Sequence, residues 1–231
     1  MKTIGLIGGM SWESSIAYYR IINEAAKARL GGLHSAQSLM YSVDFAEIEN
    51  LQQQAKWHEA AQALSAAAQR LERGGADFIV LCTNTMHKVA GAIEAAVRIP
   101  LLHIADATAQ ATKAAGLRRV GLLGTRFTME EEFYIRRLTE QHGLTVRVPD
   151  GPARATVHRI IYEELVRGKT EPASRGQYLA IIEELVQAGA EAVILGCTEI
   201  GLLVRPEDCR VPLFDTTRLH AVAAFEYALS D

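Results

Sequence analysis

Gly75-Ala76-Asp77-Phe78-Ile79-Val80-Leu81-Cys82-Thr83-Asn84-Thr85 and Gly189-Ala190-Glu191-Ala192-Val193-Ile194-Leu195-Gly196-Cys197-Thr198-Glu199 are one segment written twice. They align without a gap at an offset of 189 − 75 = 114, which sets Thr83 opposite Cys197 and Cys82 opposite Gly196. Each copy is a short apolar run rich in β-branched residues, preceded by glycine and closed by small polar residues. That is the pattern of a buried strand leading into a loop. Other pairs repeat at nearly the same spacing. Thr3-Ile4-Gly5-Leu6-Ile7-Gly8-Gly9 is mirrored by Arg119-Val120-Gly121-Leu122-Leu123-Gly124-Thr125, and Ile99-Pro100-Leu101-Leu102 by Val211-Pro212-Leu213-Phe214.

Between the strands the chain reads as helix. Helices are expected over Trp12–Leu30 with Ser11 as N-cap, Trp57–Arg73, His87–Val97, Asp106–Ala115, Glu130–His142, Thr156–Arg167, Ala173–Ala188 and Thr217–Leu229, several ending at glycine. Further strands are expected over Ser35–Val43 and Thr145–Val148. Alternating strands and helices make a mostly parallel sheet. The doubling makes an α/β protein of two pseudo-symmetric, Rossmann-like lobes, residues 1–115 and 116–231, with the last helix free to pack back on the first lobe. Ligands in such sheets bind beyond the carboxyl ends of the strands. Both repeated loops lie there, as does the Gly8-Gly9-Met10-Ser11 turn, so a cleft between the lobes is the expected site.

Bulk properties narrow the function. A net charge of −3 gives no basic patch for nucleic acid, and 49% hydrophobic content supports a substantial core. No apolar run approaches the roughly 18 residues of a membrane span, and no secretory signal opens the chain. Three cysteines do not make a disulfide framework, and a reducing cytoplasm is expected. Cys82, Cys197 and Cys209 are scattered and no histidine pair has ligand spacing, so no metal is expected. No lysine context points to pyridoxal. The glycine turn after the first strand lacks both the dinucleotide and the P-loop spacing.

The repeated loops carry the chemistry. Side chains alternate along a strand, so Cys82 faces away from the direction shared by Thr83 and Cys197 and reads as a buried thiol. Cys197 stands where a strand yields to a loop, and a following helix N-terminus would lower its pKa. A thiolate on one side of an α-carbon and a proton donor on the other can invert that carbon. Asn84, Thr85 and Thr198 are fitted to hold a carboxylate or to cap helices. His87 either orients a catalytic group or serves as a capping or core residue.

Three stretches resemble the aspartate/glutamate racemase family. Ile4-Gly5-Leu6-Ile7-Gly8-Gly9-Met10-Ser11-Trp12-Glu13-Ser14 is similar to its first strand and loop, Thr83-Asn84-Thr85-Met86-His87 to its C-N-T-x-H loop, and Gly196-Cys197-Thr198-Glu199 to its G-C-T-E loop. Thr83 stands where most members have cysteine, as in the branch with a threonine/cysteine pair that includes L-aspartate/glutamate-acting and broad-specificity enzymes. The resemblance implies a cofactor-independent racemase with Thr83 and Cys197 as proton-transfer residues. It also implies that Met10, Asn84, Thr85 and Thr198 line the amino-acid backbone site. Gln52 falls where aspartate-specific members often place an arginine. The expected partner is a small-molecule amino-acid substrate, and a homodimer is allowed for. A hydantoin racemase, a malonate-type decarboxylase and a non-catalytic binding module are the competing expectations.

Overall fold

The computed structural model of the chain describes residues 1–230. Its elements in order are β1 (Ile4–Gly8), α1 (Trp12–Leu30), β2 (Ser38–Ser42), α2 (Phe45–Gln53), α3 (Trp57–Arg73), β3 (Phe78–Leu81), a 3-10 turn (Thr85–Val89), α4 (Ala90–Ala96) and β4 (Leu101–Leu102). Then follow α5 (Ile104–Ala114), β5 (Arg119–Gly124), α6 (Arg126–Glu130), α7 (Glu132–Arg136), a π-helical turn (Arg137–Gln141), β6 (Thr145–Arg147) and α8 (Gly151–Glu163). The chain closes with α9 (Pro172–Gln187), β7 (Ala192–Gly196), α10 (Ile200–Leu203), β8 (Leu213–Asp215) and α11 (Thr216–Leu229). No helix among the described residues is long and apolar enough to cross a membrane.

The strands form two four-stranded sheets, all parallel, ordered β2-β1-β3-β4 and β6-β5-β7-β8. This is the duplicated α/β architecture expected from the repeat. The registers repeat as well. Ile7 pairs with Leu81 in the first sheet and Leu123 with Leu195 in the second. In each sheet the order reverses between the two central strands, and the loops that follow those strands emerge side by side at the switch point. In the first unit these are the loops after β1 and β3; in the second, those after β5 and β7.

Each sheet is covered on both faces. In the first unit, α3 is alanine-rich and buries Ala60, Ala61, Leu64, Ala67, Ala68 and Leu71 at helical spacing against Ile79 and Leu81. The opposite face, carrying Phe78, Val80 and Cys82, packs on Tyr18 and Ile22 of α1 and on Ala224 and Phe225 of α11. In the second unit, Val157 and Ile161 of α8 and Tyr178, Ile182 and Leu185 of α9 cover Val193 and Leu195. Ile104 and Ala109 of α5, with Tyr134 and Leu138, cover Val120, Leu122 and Ile194. Fully burying one such aliphatic side chain contributes about 1.5–3 kcal/mol.

The chain divides into one compact unit of Met1–His103 with the segment from His220 onward, and a second of Ile104–Leu219. The division falls one helix ahead of the boundary expected near Gly116, because α5 buries its apolar face in the core of the second sheet. From His220 onward the last helix packs in the first unit, with Ala221, Ala224 and Ala228 buried in its core.

Other departures from the sequence reading are local. The stretch between β2 and α3 holds a helix, α2, which Asp44 caps by accepting the Ala46 N–H (3.0 Å). The single helix expected over Glu130–His142 is broken, since Glu131 is extended between α6 and α7. The helix expected over Thr156–Arg167 starts earlier, capped by Asp150, which accepts the Ala153 N–H (2.9 Å). Ser11 occupies the N-cap position of α1 without a side-chain capping bond.

Candidate active site

β1 ends in a loop that requires glycine. Gly9 has φ +94, and a Cβ there would lie 2.1 Å from the Val43 carbonyl oxygen, so no other residue fits against the end of β2. The loop is braced from α1. The Gly9 N–H donates to Ser15 Oγ (2.8 Å), and the Ser14 and Ser15 hydroxyls donate to the Ser11 carbonyl at 2.9 and 3.1 Å. These bonds hold Met10 buried in the cluster that also contains Ile48, Leu81 and Met86.

β3 ends at Leu81, and Cys82 continues the face of Phe78 and Val80 into the core. Its thiol is fully buried, and that burial pushes its pKa far up, so it rests as an inert thiol. Thr83, Asn84 and Thr85 follow at the strand's end, all buried. The next turn is tied back to them. The His87 N–H donates to the Asn84 carbonyl (3.0 Å), and His87 Nδ1 lies 2.7 Å from the Thr83 carbonyl oxygen. A carbonyl only accepts, so Nδ1 carries the proton. His87 therefore anchors the backbone of the Thr83 loop.

Behind it, the His103 ring lies 4.4 Å from the His87 ring and the His220 ring 5.9 Å away. His220 Nε2 donates to the Leu102 carbonyl (2.8 Å), which leaves Nδ1 to accept from the Tyr18 hydroxyl (2.8 Å). Gln52, on the helix missed in the sequence, is buried and its amide donates to Met86 Sδ (3.0 Å). The first unit thus brings Met10, Gln52, Thr83, Asn84 and Thr85 together at the carboxyl ends of its central strands.

In the second unit β7 ends at Gly196. A Cβ at Gly196 would lie 2.8 Å from the Leu123 carbonyl oxygen, so the counterpart of Cys82 has no room for a side chain. Cys197 continues the face of Val193 and Leu195, opposite to the one that Cys82 continues in β3. Cys197 and Glu199 are both buried. The Cys197 thiol donates to Glu199 Oε2 (3.1 Å), and the Thr198 hydroxyl donates to the same oxygen (2.6 Å). The Thr198 carbonyl accepts from the Thr217 hydroxyl (3.4 Å).

The expected lowering of the Cys197 pKa is reversed. Burial, reinforced by the Glu199 carboxylate, pushes it well above the usual thiol value and outweighs the backbone N–H groups of Glu199 and Thr198 that favour the thiolate. The helix invoked for the lowering, α10, is only four residues long and begins at Ile200. Glu199 is the residue that sequence reasoning passed over. A carboxylate between a buried strand and the apolar run Ile200-Gly201-Leu202-Leu203 was the available signal.

The sequence profile described as Asp/Glu/hydantoin racemase matches residues 7–224. Among solved structures, a candidate Asp/Glu racemase from Yersinia pestis is 58% identical with a TM-score of 0.93, covering 100% of both chains. An aspartate racemase homologue from Pyrococcus horikoshii is 35% identical with a TM-score of 0.86, again over 100% of both. The broad specificity amino-acid racemase RacX of Bacillus subtilis is 23% identical over 167 residues, 69% of this chain and 68% of that one.

Proposed function

Because the chain belongs to the Asp/Glu/hydantoin racemase family, we propose that it is a cofactor-independent amino-acid racemase acting on aspartate, glutamate or a wider set of amino acids. Cys197 removes the α-proton from one face as thiolate, and Thr83 returns a proton to the other. Met10, Asn84, Thr85 and Thr198 hold the amino-acid backbone, and Gln52 meets the side chain. The observation that carries this reading is the repeat itself. The same strand-end position bears a hydroxyl in one unit and, in the other, a buried thiol hydrogen-bonded to a carboxylate (3.1 Å). A neutral amide at Gln52 in place of a cation favours a substrate range beyond aspartate, in keeping with the name of the Bacillus subtilis relative.

The two walls are unequal. A threonine hydroxyl is a far weaker acid than a thiol, and its conjugate base is correspondingly hard to form. Turnover at saturation is therefore unequal from the two enantiomers, with a compensating difference in KM, since an equilibrium constant of one fixes kcat/KM equal in both directions. Initial rates measured at saturating L- and D-aspartate and L- and D-glutamate test this. The expected result is a kcat difference of about tenfold, less than the roughly 100-fold or more that a whole positioned acid or base contributes. Equal kcat values in both directions would overturn the asymmetric assignment.

A further inference from the structure

We propose that Arg126 recognises the side-chain carboxylate of an acidic amino acid and so sets the substrate class of the site. This rests on the racemase reading of the Cys197 loop. The repeat first points to Arg126. At the offset of 116 that relates β1 to β5, Gly124 is the counterpart of Gly8, Thr125 of Gly9 and Arg126 of Met10. The position assigned to the amino-acid site in the first unit therefore carries a guanidinium in the second.

The second unit holds that position against the Cys197 loop. β5 pairs with β7 as far as Gly124 and Gly196. A Cβ at Gly124 would lie 2.8 Å from the Gly196 carbonyl oxygen, and one at Gly196 would lie 3.3 Å from the Thr128 methyl group, so the two strand ends leave each other no spare room. Counted on from that register, Thr125 comes level with Cys197 and Arg126 with Thr198. The Thr125 hydroxyl caps α6 by accepting the Thr128 N–H (3.4 Å). The Arg126 N–H donates to His158 Nδ1 of α8 (3.2 Å). Burial, then the Arg126 charge, lowers the His158 pKa, which keeps the ring neutral and Nδ1 able to accept. The Arg126 guanidinium lies 4.8 Å from the centre of the Phe127 ring, which meets the His158 ring edge-on at 6.3 Å. Phe127 is buried and Arg126 exposed, so a fixed aromatic face supports a cation that solvent and ligands can reach.

Charge then gives the ligand class. Of residues 8–11, 82–85, 124–127 and 196–199, which end the four central strands, Arg126 carries the one cationic side chain and Glu199 the one anionic. Aspartate or glutamate brings a second carboxylate toward a loop that already holds Glu199, and like charges repel most where water is excluded. A guanidinium on the adjacent strand end offsets that repulsion, and its planar fork matches a carboxylate. Glu130, the nearest acid along α6, is paired with Arg154 (2.9 Å). A neutral side chain needs no such partner.

Arg126→Met gives the second unit the side chain of its counterpart in the first. α-Proton exchange in heavy water is measured for L-aspartate, L-glutamate and their amides L-asparagine and L-glutamine, alongside calorimetric binding of the same four compounds. In Arg126→Met, KM and Kd for the two acids are expected to rise about 10- to 100-fold, with a smaller change in kcat. Values for the two amides stay within a factor of about three of wild type. Arg126→Lys keeps the charge without the fork and recovers part of the loss. An unchanged preference for the acids in Arg126→Met would overturn the proposal. So would an equal loss for acids and amides, the mark of a residue that only shapes the loop. A wild type that exchanges the amides but not the acids would overturn it too, and leave the racemase reading standing. Selective loss of acid binding in Arg126→Met, in a protein that exchanges no α-proton, would keep the recognition site and remove the racemase reading instead.

Discussion

Gly9 shows how a single position without a side chain can place the one beside it. Its φ of +94 and the Val43 carbonyl, 2.1 Å from a hypothetical Cβ, leave alanine no strain-free solution. Gly9→Ala is expected to destabilise the protein by about 1–3 kcal/mol. A domain of this size then melts roughly 2–4 °C lower for each kcal/mol, which thermal unfolding measures. Met10 moves with the loop, so on its proposed role in the amino-acid site α-proton exchange falls in the same variant. The need for glycine there was legible in the sequence as a tight turn. What presses on it was not, because Val43 reaches Gly9 only through the pairing of β1 with β2.

The sequence was also clear about which of two adjacent residues faces the core. Cys82 continues the Phe78–Val80 face and Cys197 the Val193–Leu195 face, as the gapless repeat requires. It was misleading about Cys197 itself. A strand-to-helix junction suggested an anion-favouring site, but burial and Glu199 reverse the sign. Such a reversal depends on distance and burial, which spacing alone does not give.

At the scale of elements, helices with clean glycine stops were readable to the residue, as with α1 and α3, the latter helped by a strong apolar stripe. α2 was missed because Phe45–Gln53 is short and glutamine-rich, although Asp44 offered an N-cap. The run Glu130-Glu131-Glu132 read as the first turn of a helix, but the structure ends one helix there and starts another. Downstream of the break, the π-helical turn is clamped to α5. Arg137 donates to both Asp106 oxygens (2.6 and 2.7 Å), and His142 Nε2 lies 2.8 Å from Oδ1.

Burial pushes the Asp106 pKa up, but the Arg137 and His142 bonds outweigh it and hold the carboxyl below its ordinary value. A carboxyl depressed in the folded state stabilises above its unfolded pKa of about 3.9, and that contribution fades as pH falls through the folded value. Asp106→Asn should therefore cost about 1–3 kcal/mol at neutral pH. The gap to wild type should shrink as pH falls below the unfolded carboxyl value of about 3.9. Denaturant midpoints of the two proteins across that range check it; a gap that stays constant with pH would show that the charge of Asp106 is not what stabilises the clamp.

For the whole molecule, the duplicated strand order and register explain why so much was legible. A parallel sheet needs buried, β-branched strands separated by helices, and writing that plan twice exposes it to alignment. The place of α5 was hidden, whereas the return of the last helix to the first unit had been allowed for. α5 follows β4 yet covers the second sheet, and α11 follows β8 yet covers the first from His220 onward. α5 carries an apolar stripe that does not itself name its sheet, so tertiary packing decides.

The central claim is that this chain moves α-protons through Cys197 while Cys82 is a core residue. Deuterium incorporation at the α-carbon of L-aspartate and L-glutamate in heavy water, followed by NMR for the wild type, Cys197→Ser and Cys82→Ala, tests it most directly. The account predicts exchange in the wild type and in Cys82→Ala, and a loss of about 100-fold or more in Cys197→Ser. Exchange that survives in Cys197→Ser, or that disappears in a folded Cys82→Ala, would contradict it.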